Sequence, residues 1–381
     1  MNKIFLTSFS YASNLMFFTG LMVLLTIFDY SFLAAEIGLI YSLIASVNLI
    51  FSYNLKNQIL LDGNKSLAGE VYNFRIFLSL IIFITLILIL GNYSLNFSSK
   101  KLIIFISIII FQNWLIEILL IIHEVEKKLK FFKFYNVYNI GNFFIILINL
   151  YFFQNNYLLQ IFVLITIVNF FIILKNDLNR KLIKYSFLKL FNKISKVFAF
   201  TSSISVILSV LFWRVFIFYN FSKEISGILF SSFAIGSFIG TIFSTSIAPS
   251  IIKKKIEYKF YLNIYLILSL ILCIFVFIAF DNFKNINLIL YKNKSLFLYC
   301  SLFSVLGSAI MLFSIIRRIH FYNLKKYRSK IYTLDIINSI VIALIPVILF
   351  YININLIIFS YFFAAFFSLL LFSKFFLNEK S

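Results

Sequence analysis

Apolar runs long enough to cross a bilayer as single helices recur along the whole chain, separated by short polar breaks. They fall near residues 4–28, 33–53, 76–91, 102–122, 134–152 and 157–174, and again near 197–219, 225–250, 259–280, 296–316, 331–351 and 355–373. One strongly polar stretch interrupts the series, KNDLNRKLIKYSFLKLFNKISK from Lys175 to Lys196, with six runs before it and six after. Within it Leu178, Leu182, Tyr185, Leu188 or Lys189, and Phe191 or Asn192 recur at roughly helical spacing, Phe187, Leu190 and Ile194 widen the apolar side, and lysines take the other. Such a helix lies at the headgroup boundary, where apolar burial and attraction to anionic lipid add together; the plainer alternative is a solvated charge run.

The pattern predicts an all-α polytopic membrane protein of about twelve transmembrane helices in two six-helix lobes: residues 1–175, a cytoplasmic amphipathic basic linker at 176–196, and 197–381. Composition agrees, since 62% of the 381 residues are hydrophobic, 12% are charged and the mean hydropathy is +1.02. A soluble fold has no core large enough to hide that much apolar surface. The net charge of +21 suggests nucleic acid in a soluble chain, but here its placement speaks for membrane orientation and membrane lipids as partners, and against nucleic acid. Abundant Ile, Phe, Lys, Asn and Tyr also point to an AT-biased coding sequence, so part of the aromatic and asparagine content carries no functional information.

Lysine and arginine test the spans. With the N-terminus inside, the outer loops hold only Lys100, Lys101, Lys223, Lys284, Lys292 and Lys294, and Arg214 sits within a span. All other basic residues, Arg75 among them at the inner edge of the third run, fall on the N-terminal side. That asymmetry puts both termini in the cytoplasm. The first run is too long for a signal-peptide core and no small-residue cleavage motif follows it, so it reads as a retained span.

A weak internal repeat supports the six-plus-six division. Glu36-Ile37-Gly38 opens the second run and Glu224-Ile225-Ser226-Gly227 the eighth, while Lys127-Lys128-Leu129-Lys130 resembles Lys325-Lys326-Tyr327-Arg328. Both members of each pair sit alike in their halves, as in parallel repeats related by an axis along the membrane normal. In the eighth run Ser232, Gly236, Gly240, Ser244 and Ala248 form a small-residue ridge ahead of Pro249. A ridge of this kind lets a neighbouring backbone approach closely, as static packing or as a sliding face.

Chemistry is sparse. No metal-ligand cluster, nucleophile elbow or phosphate loop occurs, Cys273 and Cys300 have no pairing or ligand spacing, and His123 and His320 lie at helix ends beside other charges. No cofactor or metal is implied, and short outer loops without histidine or acid pairs argue against an enzyme. The ionisable groups inside runs are Arg214, Glu117 and Asp335. Such groups face the protein interior or a watery cavity. Glu117 and Arg214 lie at different depths and read as separate stations, while Asp335 is expected to pair with Lys330 or Arg328.

Twelve spans in two parallel halves, the basic linker, EIGLIYSLIASVNLI in the second span and EISGILFSSFAIGSFIG in the eighth resemble the polysaccharide-unit flippases of the multidrug/oligosaccharidyl-lipid/polysaccharide exporter superfamily. The resemblance implies a carrier in the bacterial inner membrane that moves undecaprenyl-pyrophosphate-linked oligosaccharide outward by alternating access. Arg214 would contact the pyrophosphate; Gln112, Asn142 and Asn338, with Asn14, Asn48 and Asn113, are candidates for sugar hydroxyls; Glu117 is a candidate for ion coupling. A drug or small-solute exporter of the same superfamily is the nearer alternative, and a membrane glycan polymerase or ligase the more distant one.

Overall fold

The computed structural model describes residues 2–52, 65–92, 97–126, 128–154, 156–177, 207–243, 262–271, 273–274, 294–323 and 328–377. The linker from residue 178 onward, Ser244, Ala248 and Pro249 lie outside them. The described chain is helical, with no strand. Helices α1 (Asn2–Ile27), α2 (Ser31–Ser52), α3 (Lys65–Asn92), α4 (Phe97–Val125), α5 (Leu129–Phe152) and α6 (Leu158–Asp177) make the first half. In the second half a π-helical segment, Ile207–Phe212, runs into α7 (Trp213–Asn220), followed by α8 (Lys223–Ile242) and α9 (Leu262–Ile271). Then come α10 (Lys294–Asn323), α11 (Arg328–Ile352), and a 3-10 turn, Ile354–Phe359, leading into α12 (Ser360–Leu377). In hydrocarbon every backbone N–H and C=O must be paired within the chain, which is why apolar runs of this length become helices.

One boundary departs from the sequence reading. The third helix begins at Lys65 rather than near 76, so Arg75 is not at the start of a helix but eleven residues into one. Its first turns, KSLAGEVYNF, look like loop by hydropathy. They are helical because Val71, Tyr72 and Phe74 are buried in a cluster with Ile116, Leu119, Leu120, Phe132 and Tyr135.

The chain divides into two compact units, and the division passes through two helices. Met1–Phe17 and Ile40–Phe200 form the first; Phe18–Leu39 and Thr201–Ser381 form the second. The end of α1 and the start of α2 therefore belong with α7–α12. In the first unit α4 is the central helix, 72% buried over its span from Lys101, whereas α5 and α6 each leave an apolar face outward through Phe134, Val137, Phe144, Phe170 and Phe171.

In the second unit small residues set the helix spacing. A Cβ on Gly236 of α8 would stand 2.4 Å from the Ser304 carbonyl oxygen of α10, and one on Gly307 of α10 would stand 2.7 Å from the Tyr361 ring of α12. Helix α10 is thereby held between α8 and α12 by backbone-to-backbone contact, the packing that small residues permit where hydrophobicity cannot drive association. Gly240, one turn on from Gly236, has only Ile315 at 3.9 Å. The close contact of the ridge is at Gly236.

Candidate functional site

The interior of the first unit is lined with amides and phenols. On α5 the buried positions include Tyr135, Asn136, Asn139, Asn142 and Asn149, a stripe that recurs at helical spacing along one face. Its partners lie on α1: Asn139 donates through Nδ2 to the Ser13 hydroxyl at 3.1 Å, and the Tyr135 hydroxyl donates to Asn14 Oδ1 at 2.8 Å. Asn14 in turn donates to the Asn113 carbonyl of α4 at 3.3 Å. Toward α6, the Tyr138 hydroxyl donates to Asn169 Oδ1 at 3.1 Å and Gln112 Nε2 donates to the Thr166 carbonyl at 3.0 Å. Interhelical bonds of this kind contribute about 0.6 kcal/mol each in a bilayer. The Oε1 of Gln112 and the Oδ1 of Asn149 are buried with no hydrogen-bond partner.

One end of the same unit carries a buried ion pair. Arg75 of α3 is 1% exposed and donates from Nη1 to the Trp114 carbonyl at 2.6 Å and to Glu117 Oε2 at 3.1 Å, with its guanidinium 4.7 Å from the centre of the Trp114 ring. Glu117 keeps 26% exposure. Two turns further along α4, Glu124 accepts from the buried Tyr11 hydroxyl of α1 at 2.8 Å. Glu126, in the turn that follows, pairs with Lys128 at 2.8 Å.

The second unit places its charges where α1 joins α2. Arg214 of α7 donates from Nη1 to the Gly38 carbonyl at 2.5 Å and lies 5.5 Å from the Phe230 ring. Lys223, at the start of α8, donates to Glu36 Oε1 at 3.1 Å and stands 4.6 Å from the Phe32 ring. Glu36 is buried, and its Oε2 has no hydrogen-bond partner. Between α1 and α2, Asp29 has φ 67°. Partial desolvation, and then the charge of Glu224, raise its carboxyl above the usual carboxylate range. Further along the unit, Arg318 of α10 grips Asp335 of α11 through Nε at 3.1 Å and Nη2 at 2.6 Å.

The residues singled out from sequence thus divide between the units. Gln112, Asn14, Asn113, Asn142 and Glu117 share the interior of the first, with Asn142 beside the Tyr138 hydroxyl. Arg214 and Asn338 belong to the second, where Asn338 Oδ1 accepts from Ser368 at 2.5 Å. The side chain of Asn48 lies outside the described ones. Asp335 is in an ion pair, but its partner is Arg318 across a helix interface rather than Lys330 or Arg328 one turn away. Sequence reasoning missed Arg75, Tyr11, Glu36 and Lys223. The α5 stripe was detectable from its spacing, and was masked by how common asparagine is in this chain.

Buried amides, buried ion pairs and small-residue helix contacts, distributed over two compact helical units, define a class: an all-α polytopic membrane protein with a polar interior. No family model and no curated protein matches the chain. Among solved structures it resembles the one titled "Crystal structure of MATE in complex with Br-NRF", with a TM-score of 0.51 and 16% identity over 99% of this chain and 95% of that one. The likeness is one of fold, an all-helical membrane architecture.

Proposed function

We propose that the chain is an exporter that carries lipid-linked oligosaccharide, an undecaprenyl-pyrophosphate-bound unit, across the bacterial inner membrane by alternating access, with both termini in the cytoplasm. The MATE-like fold supports the exporter part of this reading, and supports transport over catalysis. One observation carries the substrate class. Of the acids described between helices, Glu36, Glu117 and Asp335 are each neutralised by a base, Lys223, Arg75 and Arg318, and Glu124 accepts from the Tyr11 hydroxyl. The site for an exported cationic drug requires uncompensated negative charge. The first unit instead offers neutral amide and phenol groups, which match the donors and acceptors of sugar hydroxyls, inside a chain of net charge +21 that favours an anionic headgroup.

The drug-exporter reading stays as the alternative, because the fold serves it equally. Expression in a bacterial strain lacking its own flippase for a lipid-linked glycan separates the two. Restored surface glycan, with unchanged accumulation of a fluorescent cationic dye, is the expected result. Lowered dye accumulation with no glycan at the surface would overturn the proposal in favour of drug export.

A further inference from the structure

Helix α5 has two faces of opposite character. The inner one is the amide and phenol stripe described above. The outer one is apolar and open: Phe134 is 54% exposed, Val137 72%, Phe144 56% and Ile148 45%, at the steps that place side chains along one lane of a helix. Between Val137 and Phe144 the lane dips at Gly141, where an added Cβ would meet nothing within 4 Å. At the start of the helix the same lane carries Lys130 and Lys133, both exposed.

Acids do not balance these two lysines. In that corner of the first unit Glu126 pairs with Lys128 at 2.8 Å and Glu124 accepts from the Tyr11 hydroxyl, and α5 itself has no acidic residue. Among the described residues no ion pair involves Lys130 or Lys133. Like charges one turn apart on a helix repel, and an anion shared between the two ammonium groups relieves that repulsion.

Helix α6 extends the surface. The Tyr138 hydroxyl bond to Asn169 Oδ1 sets the register between the two helices, which a short turn joins in opposite directions. Lys133 lies about 8 Å along α5 from that bond and Lys175 about 9 Å along α6, so exposed Lys175 stands level with the lysines of α5. By the same register Phe170, Phe171 and Leu174, all exposed, stand level with Phe134 and Val137. The surface is thus apolar along its length and basic at one end, the complement of acyl chains and a negatively charged headgroup. Helix α3 shows the contrast. It exposes Phe77, Leu80 and Ile84, but Arg75 is turned inward, 1% exposed and paired with Glu117.

We propose that the outer face of α5 and α6 is a binding site for an anionic phospholipid, with Lys130 and Lys133 holding the headgroup phosphate and an acyl chain lying along the lane past Gly141. The site goes beyond the transport reading, since it depends neither on what the chain carries nor on which leaflet the lysines face.

The test uses purified full-length protein in neutral detergent, with dioleoyl phosphatidylglycerol and dioleoyl phosphatidylcholine as probes and native mass spectrometry to follow the first lipid bound. A basic residue near a membrane surface contributes about fivefold to the affinity for anionic lipid, so two contribute about 25-fold. The natural chain is therefore expected to bind phosphatidylglycerol about 25-fold more tightly than phosphatidylcholine. Lys130→Gln with Lys133→Gln should remove that preference and leave phosphatidylcholine binding unchanged, while arginine at both positions should keep it. Lys325→Gln with Lys326→Gln, which takes the same charge from the matching loop of the other half, should keep it too. Glycerol phosphate in excess, a headgroup without chains, should not displace the lipid.

Three outcomes overturn the site. Equal affinity of the natural chain for the two lipids does so without any variant. An equal loss in the Lys325 and Lys326 variant would reduce the preference to attraction by the overall positive charge. Displacement by glycerol phosphate would leave the apolar lane without a part in binding.

Discussion

Removing the charge of Glu117 while keeping its shape should destabilise the first unit more than any change at a lipid-facing position. Glu117→Gln leaves Arg75, 1% exposed, with the Trp114 carbonyl at 2.6 Å and the Trp114 ring at 4.7 Å. Neither carries a compensating charge, and Nε has no partner at all. An uncompensated buried charge of this kind costs about 3–5 kcal/mol; the cation–π contact offsets about 1 kcal/mol of it, which puts the expected loss near 3 kcal/mol. Arg75→Gln strands the carboxylate instead. Glu117 keeps 26% exposure, water reaches it, and the loss should be nearer ~2 kcal/mol. The double variant strands nothing and leaves two amides able to bond one another, for a loss of about 2 kcal/mol and a coupling of about 3 kcal/mol, the upper end for residues in contact.

The assay is reversible unfolding of purified protein by increasing mole fraction of denaturing detergent, followed by circular dichroism. The order expected is natural chain most stable, Arg75→Gln and the double variant together below it, and Glu117→Gln last. A Glu117→Gln protein within about 0.5 kcal/mol of the natural chain, the range of an ordinary surface substitution, would refute the buried-pair reasoning. So would a double variant whose loss equals the sum of the singles.

Three further outcomes follow from the structure. Gly227→Ala, whose Cβ would stand 1.8 Å from the Ser31 carbonyl oxygen, should lower the thermal midpoint sharply, whereas Gly141→Ala, with nothing within 4 Å, should leave it unchanged or raise it; equal effects would remove the close approach of α8 to α2. Asp29→Asn, which tolerates the same φ of 67°, should flatten the pH dependence of stability. Because desolvation, and then Glu224, raise the Asp29 carboxyl above the ordinary aspartate value of 3.8, the folded state binds that proton more tightly, so stability falls as pH rises from 3.8 through the raised value. The natural chain should lose stability over that window relative to the variant, by a small amount since Asp29 is exposed; identical pH profiles would remove the effect. For orientation, cysteines at Asn156 and Lys128, exposed beyond opposite ends of α5, should label from outside intact cells at Asn156 and not at Lys128, and the reverse would invert the proposed topology.

Most helices were legible because a bilayer demands one thing of sequence, an apolar run of sufficient length. The runs near 33–53 and 102–122 appear as Ser31–Ser52 and Phe97–Val125. What hydropathy does not register is a polar helical turn buried against protein instead of lipid. The start of α3 is the case in point: Lys65, Glu70 and Arg75 read as loop, yet Val71, Tyr72 and Phe74 pack into the core of the first unit. The ion pairs were illegible for a different reason. Glu36 and Lys223 are 187 residues apart and Arg75 and Glu117 are 42 apart, and nothing local to either residue announces the other. Arg318 and Asp335 are nearer in sequence, but helical spacing favours Lys330 or Arg328 as partners of Asp335. The acid was identified, and its base came from the neighbouring helix.

The weak repeat takes on physical meaning at the same place. Glu36-Ile37-Gly38 and Glu224-Ile225-Ser226-Gly227 are too short for sequence alone to separate from coincidence, but the second unit brings them against one another. Gly227 of α8 lets the backbone of Ser31 approach α2's partner helix, and Gly38 of α2 makes room for Phe230 of α8. The two acids of the motif differ: buried Glu36 pairs with Lys223 of α8, whereas exposed Glu224, at the start of α8, repels Asp29 in the turn before α2. Each segment therefore supplies a glycine that admits the other helix. A substitution in one copy should then be felt in the other. Gly38→Ala, pressed on Phe230, is expected to loosen the Lys223–Glu36 pair as well as the Gly38 contact itself, because both depend on the same close seating of α2 on α8.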